Sequence, residues 1–164
     1  MTSQKPKPSH LTDLGGLTGG CQCGAIRYQL ASAPSFPHLC HCRMCQKAYG
    51  APFSALCGIP KKDFKLTRGT PSIFKSSERV ERGFCANCGT PLTFAYWDDD
   101  GMAISIGSLD EPEKVPPTVQ CCTDSQLSWF ATLARLPEQN DVAEMSRDAL
   151  ERLKSLQHPD FDKP

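Results

Sequence analysis

Apolar and polar positions alternate along much of the chain in short runs separated by glycine, proline and acidic breaks. Residues 25–30 (Ala-Ile-Arg-Tyr-Gln-Leu) follow the two-residue period of a half-buried strand. Residues 53–57, 64–66, 72–76, 79–84, 92–97 and 102–106 continue the β reading. Asp98-Asp-Asp-Gly101 lies between the last two and predicts a hairpin turn. Residues 33–37 (Ala-Pro-Ser-Phe-Pro) read as a turn or loop, and Pro116-Pro117 blocks any regular element there. A short helical turn is expected near residues 43–48. The one convincing helix lies at the end, where Asn140 or Asp141 can cap it. There Val142, Met145, Ala149, Leu150, Leu153 and Leu156 recur at helical spacing. The expected architecture is mainly β. A loose tail (1–14) precedes one domain (15–135), and the helix and tail of residues 136–164 pack on that same domain.

With 164 residues and 39% hydrophobic content, a single domain with a modest core is expected. A cross-link would help such a core, and structural zinc supplies roughly 10–16 kcal/mol in small zinc-binding peptides. Eighteen basic and eighteen acidic residues cancel, which disfavours general nucleic-acid binding. The charges are nonetheless segregated. Residues 1–97 carry 12 basic and 4 acidic side chains, and residues 98–164 carry 6 and 14. Either the basic half attracts a small anionic ligand or folding lets the halves neutralise each other. No apolar run is long enough for a signal peptide or a bilayer span, so no membrane association is expected. The expected compartment is the cytoplasm, where thiols stay reduced.

That expectation bears on the ten cysteines, seven of which form three tight clusters. These are Cys21-Gln-Cys23, Cys40-His-Cys42-Arg-Met-Cys45 and Cys85-Ala-Asn-Cys88. Gly24 and Gly89 follow two of them, as suits a turn whose exit takes positive φ. Thiolates so spaced can bind a metal, oxidise or form a redox pair. Cys21 and Cys23, which would share one face of a strand at i and i+2, can join Cys85 and Cys88 in a closed four-sulfur zinc site. Cys40, Cys42 and Cys45 then remain as a three-sulfur site with an open position, the arrangement of catalytic zinc. Three alternatives stand beside this partition. The third cluster can borrow a fourth ligand from His38, Cys57, Cys121 or Cys122, which makes both ions structural and the chain a non-catalytic module for a protein partner. A Cys-x-x-Cys pair can act as a disulfide switch. An even number of cysteines also fits a disulfide framework. His41 has the opposite strand parity and reads as a packing or hydrogen-bonding residue.

Gly20-Cys-Gln-Cys-Gly-Ala-Ile-Arg-Tyr28, Cys40-His-Cys-Arg-Met-Cys45 and Gly83-Phe-Cys-Ala-Asn-Cys-Gly-Thr-Pro-Leu92, in this order, resemble the glutathione-dependent formaldehyde-activating enzyme family, which includes centromere protein V. Ile106-Gly-Ser-Leu-Asp110 and Trp129 fit the pattern too. The resemblance covers roughly residues 15–135. It implies small antiparallel sheets arranged as a tent around zinc, with structural zinc on Cys21, Cys23, Cys85 and Cys88. It also implies a second, active-site zinc on Cys40, Cys42 and Cys45. The implied activity is that of a carbon–sulfur lyase, joining or parting a thiol such as glutathione and a small carbonyl such as formaldehyde. Arg43, Lys47, Arg79 and Arg82 are candidate partners for the thiol's carboxylates, and Phe53 and Trp129 are candidate pocket walls. One departure is Gln120, which stands nearest the place where members often carry a histidine. The long basic extension of centromere protein V has no counterpart, so a chromatin role is not expected.

Overall fold

The computed structural model describes residues 15–139 and 145–161. Among the described residues, ten strands form two sheets. The chain runs β1 (Thr18–Gly20), β2 (Arg27–Leu30), β3 (Ser35–Cys40), α1 (Arg43–Tyr49), β4 (Ser54–Pro60) and β5 (Phe64–Arg68). It continues with β6 (Ser72–Lys75), β7 (Val80–Phe84), β8 (Pro91–Tyr96), β9 (Gly101–Ser105), β10 (Val119–Cys121) and α2 (Arg147–Arg152). A three-stranded sheet has the order β1-β2-β5, and a seven-stranded sheet has the order β10-β3-β4-β9-β8-β7-β6. Among the described residues the pairings are antiparallel except β10 on β3, which is parallel. The mainly β architecture of small sheets is thus the one its alternating pattern predicts.

The alternation has a direct structural cause. Tyr28, Leu30, Leu92 and Ile104 are the fully buried members of their strands, and they meet in one core between the sheets with Leu17, Ile26, Ile59 and Val115. The expected hairpin is present, with Asp99 Oδ1 accepting a 2.8 Å hydrogen bond from the Gly101 N–H. Cys57 lies fully inside the core, where burial pushes its thiol up to about 12. It therefore serves as a small apolar residue. All ten cysteines are free.

Three features differ from the sequence reading. Residues 35–37 were expected in a loop, yet they open β3. A register shift between Ser35 and His38, with Phe36 at φ 44°, puts Pro37 in an irregular stretch of the ladder. The terminal helix spans only Arg147–Arg152, capped by Ser146 Oγ accepting from the Ala149 N–H. The expected caps Asn140 and Asp141 lie outside the described residues, as does the expected tail. Leu150, Leu153 and Leu156 are 40%, 60% and 96% exposed. Contact with the domain is made further on, where the His158 N–H donates to the Gln22 carbonyl at 2.8 Å. Among the described residues, no helix is long and apolar enough to cross a membrane.

The segregated charges partly neutralise each other across the fold. Arg27 grips Asp110 at 2.5 and 2.8 Å with both groups buried, and Thr18 Oγ1 donates to the same carboxylate. Burial pushes the Asp110 carboxyl up, but the Arg27 and Thr18 hydrogen bonds outweigh it and hold the group below the ordinary range. On the surface Arg79 pairs with Asp98 and lies over the Tyr96 ring.

Candidate metal centres and the adjoining cavity

Cys21 and Cys23 follow β1 in a turn, not in a strand as their parity suggested. The Gly24 N–H donates to the Cys21 carbonyl at 2.9 Å, and Gly24 takes φ 74°. The β7–β8 connection mirrors this, with the Gly89 N–H donating to the Cys85 carbonyl at 2.8 Å and Gly89 at φ 76°. The two turns bring Cys21, Cys23, Cys85 and Cys88 together, all four sulfurs within 4.8 Å of one another. Zinc bonded tetrahedrally to sulfur at about 2.3 Å separates the sulfurs by about 3.8 Å. The Cys21–Cys23 and Cys23–Cys85 sulfurs stand 3.6 and 3.8 Å apart. The cluster therefore fits a closed four-sulfur ion, and it links the edge of the three-stranded sheet to the seven-stranded one. The Ile26 N–H points at Cys21 Sγ at 3.2 Å. Cys88 Sγ lies 3.1 Å from Thr90 Oγ1. Burial raises the Cys88 thiol, but hydrogen bonds from Thr90 and neighbouring backbone outweigh it and bring the group down to about 6.

The second cluster forms where β3 ends and α1 begins. Cys40 closes the strand, Cys42 caps the helix, and Cys45 lies one turn on. The Cys45 N–H points at Cys42 Sγ at 3.4 Å. These three sulfurs also lie within 4.8 Å of one another, and among the described residues no fourth His, Cys, Asp or Glu joins them. Of the suggested lenders, His38 and Cys57 are engaged elsewhere, and neither Cys121 nor Cys122 joins the cluster. His38 is engaged by the Phe36 carbonyl at 2.9 Å and stacks on the Phe36 ring. Cys57 is in the core. Cys121 sits beside Cys40 in the parallel register, and Cys122 is exposed in the left-handed region.

His41 is fully buried, as a packing residue should be. Its Nε2 lies 2.9 Å from Gln120 Oε1, and its ring meets Phe130 edge-on at 4.7 Å. Gln126 Nε2 donates to the same Gln120 oxygen at 2.8 Å. Gln46 Nε2 donates to the carbonyls of His41 and Ser125. Gln120 is thus a structural partner of the cysteine loop. Phe53 packs against Phe130 and His41. Trp129 is 48% exposed and does not line the cavity described next.

Beside the cluster, between α1 and the β6–β8 edge, lies a cavity of about 500 Å³. Arg43, Lys47 and Arg82 line it, together with Met44, Tyr49 and Phe74, and no acidic side chain does. Arg82 is the residue that sequence reasoning undervalued. It is 6% exposed, its Nε donates to Ser76 Oγ at 3.1 Å, and its Nη2 reaches Cys45 Sγ at 3.5 Å. Its guanidinium also lies over the Phe94 ring. Burial pushes the Cys45 thiol up, but the Ser54 hydroxyl and the Arg82 guanidinium beside it outweigh that and hold it below its ordinary value. Burial pushes the Tyr49 phenol up to about 12, so it keeps its proton at neutral pH.

Four buried side-chain polar atoms among the described residues make no close, well-directed hydrogen bond: His41 Nδ1, Tyr49 OH, Ser54 Oγ and Arg82 Nη1; Ser54 stands near the Cys45 sulfur and Tyr49 near Ser105. All four belong to the surroundings of the three-sulfur cluster. His41 separates Cys40 from Cys42, and Ser54 faces Cys40 across the β3–β4 ladder. Tyr49 packs on the same small core, and Arg82 touches Cys45. Unpaired buried donors are costly, and their concentration here marks a place built to receive something further. The donor set fits an ion such as zinc together with a small ligand.

Taken together, these features define a small β protein organised by two cysteine clusters of metal-ligand geometry, one of four sulfurs and one of three with a cation-lined cavity alongside it. The profile of the glutathione-dependent formaldehyde-activating enzyme family matches residues 16–125, and the chain belongs to that family. It is 35% identical over 78 residues to an uncharacterized lyase of Schizosaccharomyces pombe. It is 30% identical over 80 and 84 residues to proteins of Fusarium vanettenii and Halomonas elongata, each provisionally named a glutathione-dependent formaldehyde-activating enzyme. These matches cover 48%, 48% and 46% of this chain, and 56%, 43% and 54% of the relatives. The chain therefore spans about half the length of each. A crystal structure of a Rhodobacter sphaeroides protein shares the fold at a TM-score of 0.51 and 17% identity, covering 63% of this chain and 98% of that one.

Proposed function

We propose that this chain is a cytoplasmic zinc-dependent carbon–sulfur lyase. It acts on the adduct of glutathione, or a related carboxylated thiol, with formaldehyde or another small carbonyl compound. In the forming direction the thiol sulfur bonds to the carbonyl carbon, and the thiol proton ends on the former carbonyl oxygen. The reverse step breaks that bond and returns the proton. Cys21, Cys23, Cys85 and Cys88 would hold a structural zinc, and Cys40, Cys42 and Cys45 a catalytic one. When bound, an ion with an open position supplies Lewis acidity, and its thiolate ligands suit it to a sulfur-containing guest.

The remaining work falls to this chain's own side chains. Arg43 and Lys47, on the exposed face of α1, offer charge to the carboxylates of the thiol. Tyr49 offers a phenolic O–H at the cavity wall, suited to the oxygen that gains or loses charge at the carbonyl carbon. The Gln120–His41–Gln126 network holds the cysteine loop in register against the 123–125 turn. The observation that carries this reading is a three-sulfur cluster with no fourth protein ligand among the described residues, beside a cation-lined cavity. The same observation disfavours a purely structural module, which needs that position filled by the chain. The test is exchange NMR on formaldehyde and glutathione with catalytic amounts of the zinc-loaded chain. Exchange faster than in buffer, and lost in Cys42→Ser, is expected. Exchange at the buffer rate would refute the reading.

A further inference from the structure

A buried arginine with no carboxylate is an unbalanced charge. Arg82 is 6% exposed, and its hydrogen-bond and ring partners are Ser76 Oγ, Cys45 Sγ and the Phe94 ring, none of them an acid. Arg27, the comparably buried arginine, has the Asp110 carboxylate on it. Taking a guanidinium out of water without a counter-charge costs several kcal/mol, so a compensating anion is required. The anion within reach is the sulfur cluster. Three thiolates around a divalent ion carry one net negative charge, which one arginine cancels. A fourth thiolate, arriving from a substrate, would restore a net negative charge to the site. One donor of Arg82, Nη1, is still unpaired and buried.

We infer that Arg82 is a positioning residue that sets the charge preference of the open site, so that the site takes an anionic sulfur ligand in preference to a neutral one. The guanidinium does this in two ways. Its Nη2 drains charge from Cys45, as outer hydrogen bonds to metal-bound thiolates do, and its fixed positive charge stabilises the incoming thiolate through space. Ser76 Oγ and the Phe94 face hold the guanidinium flat against the cluster. Arg43 and Lys47 cannot substitute. They lie on the solvent side of the cavity, where water screens them.

This inference rests on the zinc reading above, and its test separates the two. The full chain is loaded with cobalt in place of zinc and titrated with 2-mercaptoethanol, which binds as a thiolate, and with imidazole, which binds neutral. The visible spectrum of the cobalt reports each affinity without any turnover. The ratio of the two affinities is the readout. Removing one charge a few ångströms away in a partly screened site is expected to lower the thiolate-to-imidazole ratio by about tenfold or more in Arg82→Gln. Imidazole affinity should change little, and Arg82→Lys should recover part of the ratio. A role confined to folding would lower both affinities together or neither. An unchanged ratio in Arg82→Gln, with cobalt fully bound, overturns the inference and leaves the lyase reading intact. Cobalt bound at only one equivalent in the wild type overturns both. Should Arg82→Gln fail to fold, Ser76→Ala releases the guanidinium from its Nε anchor. A fall in the ratio is then expected, and no fall overturns the inference.

Discussion

Replacing one sulfur from each cluster should have unequal consequences. Cys23 and Cys85 are 62 positions apart, and closing a loop of that length restricts the unfolded chain by about 4 kcal/mol on the cross-link model. Cys40 and Cys45 are five positions apart, and the same arithmetic yields about 2 kcal/mol. The four-sulfur cluster also joins two sheets whose shared core includes Cys21 and Cys85 themselves. Domains of this size are stable by only about 5–15 kcal/mol, while structural zinc is worth roughly 10–16 kcal/mol in small peptides. Cys88→Ser should therefore remove most or all of the stability. Cys42→Ser should remove one metal equivalent and little of the fold, since Cys42 is half-buried at a helix cap and neighbours a small core of its own. The assay is urea unfolding followed by circular dichroism, paired with metal analysis of the folded fraction. Cys42→Ser should retain a cooperative transition with one zinc, and Cys88→Ser should show none at room temperature. A folded Cys88→Ser beside an unfolded Cys42→Ser would refute the assignment of roles.

Other outcomes follow from individual contacts. Asp110→Asn leaves the buried Arg27 charge without that carboxylate and should cost about 3–5 kcal/mol in urea unfolding near neutral pH. Because the native Asp110 carboxyl is held below its ordinary value, its contribution is present above about pH 4 and fades as pH falls through the lower native value. The stability gap between wild type and Asp110→Asn should therefore narrow in acid, and a gap that widens there would contradict the pairing. Cys57→Ser puts a hydroxyl into the apolar core and should cost about 1–3 kcal/mol while zinc remains at two equivalents. Loss of a metal would make Cys57 a ligand. Arg43→Ala with Lys47→Ala should raise KM for glutathione by about tenfold, with a smaller change in kcat, when initial rates are measured against thiol concentration.

The strands were legible because each half-buried segment repeats the two-residue period, and the hairpin because Asp-Gly sits between two such segments. The sulfur partition was legible because ligand spacing is local. Tertiary pairing was harder to read. β3 begins in a Pro-containing stretch that only an irregular register accommodates. β10 is a three-residue strand whose parallel partner lies some eighty positions earlier, so no local pattern announces it. The terminal stripe of leucines has helical spacing, but a period says nothing about whether a face exists to receive it. Arg82 looked like any surface charge because the sequence shows its sign and not its missing counter-ion. Trp129 drew attention by size, whereas Phe130 makes the contact with His41. The tie from Gln120 to His41 depends on β10 lying beside β3, which strand-level reading does not supply.

The central claim is an unequal division of seven sulfurs between two ions. X-ray absorption at the zinc edge, on reduced, fully loaded protein without added thiol, tests it most directly. Two zinc ions per chain sharing seven sulfur bonds near about 2.3 Å, with one lighter atom completing the set, is the expected result. A single ion per chain, or eight sulfur bonds drawn wholly from the protein, would contradict the account.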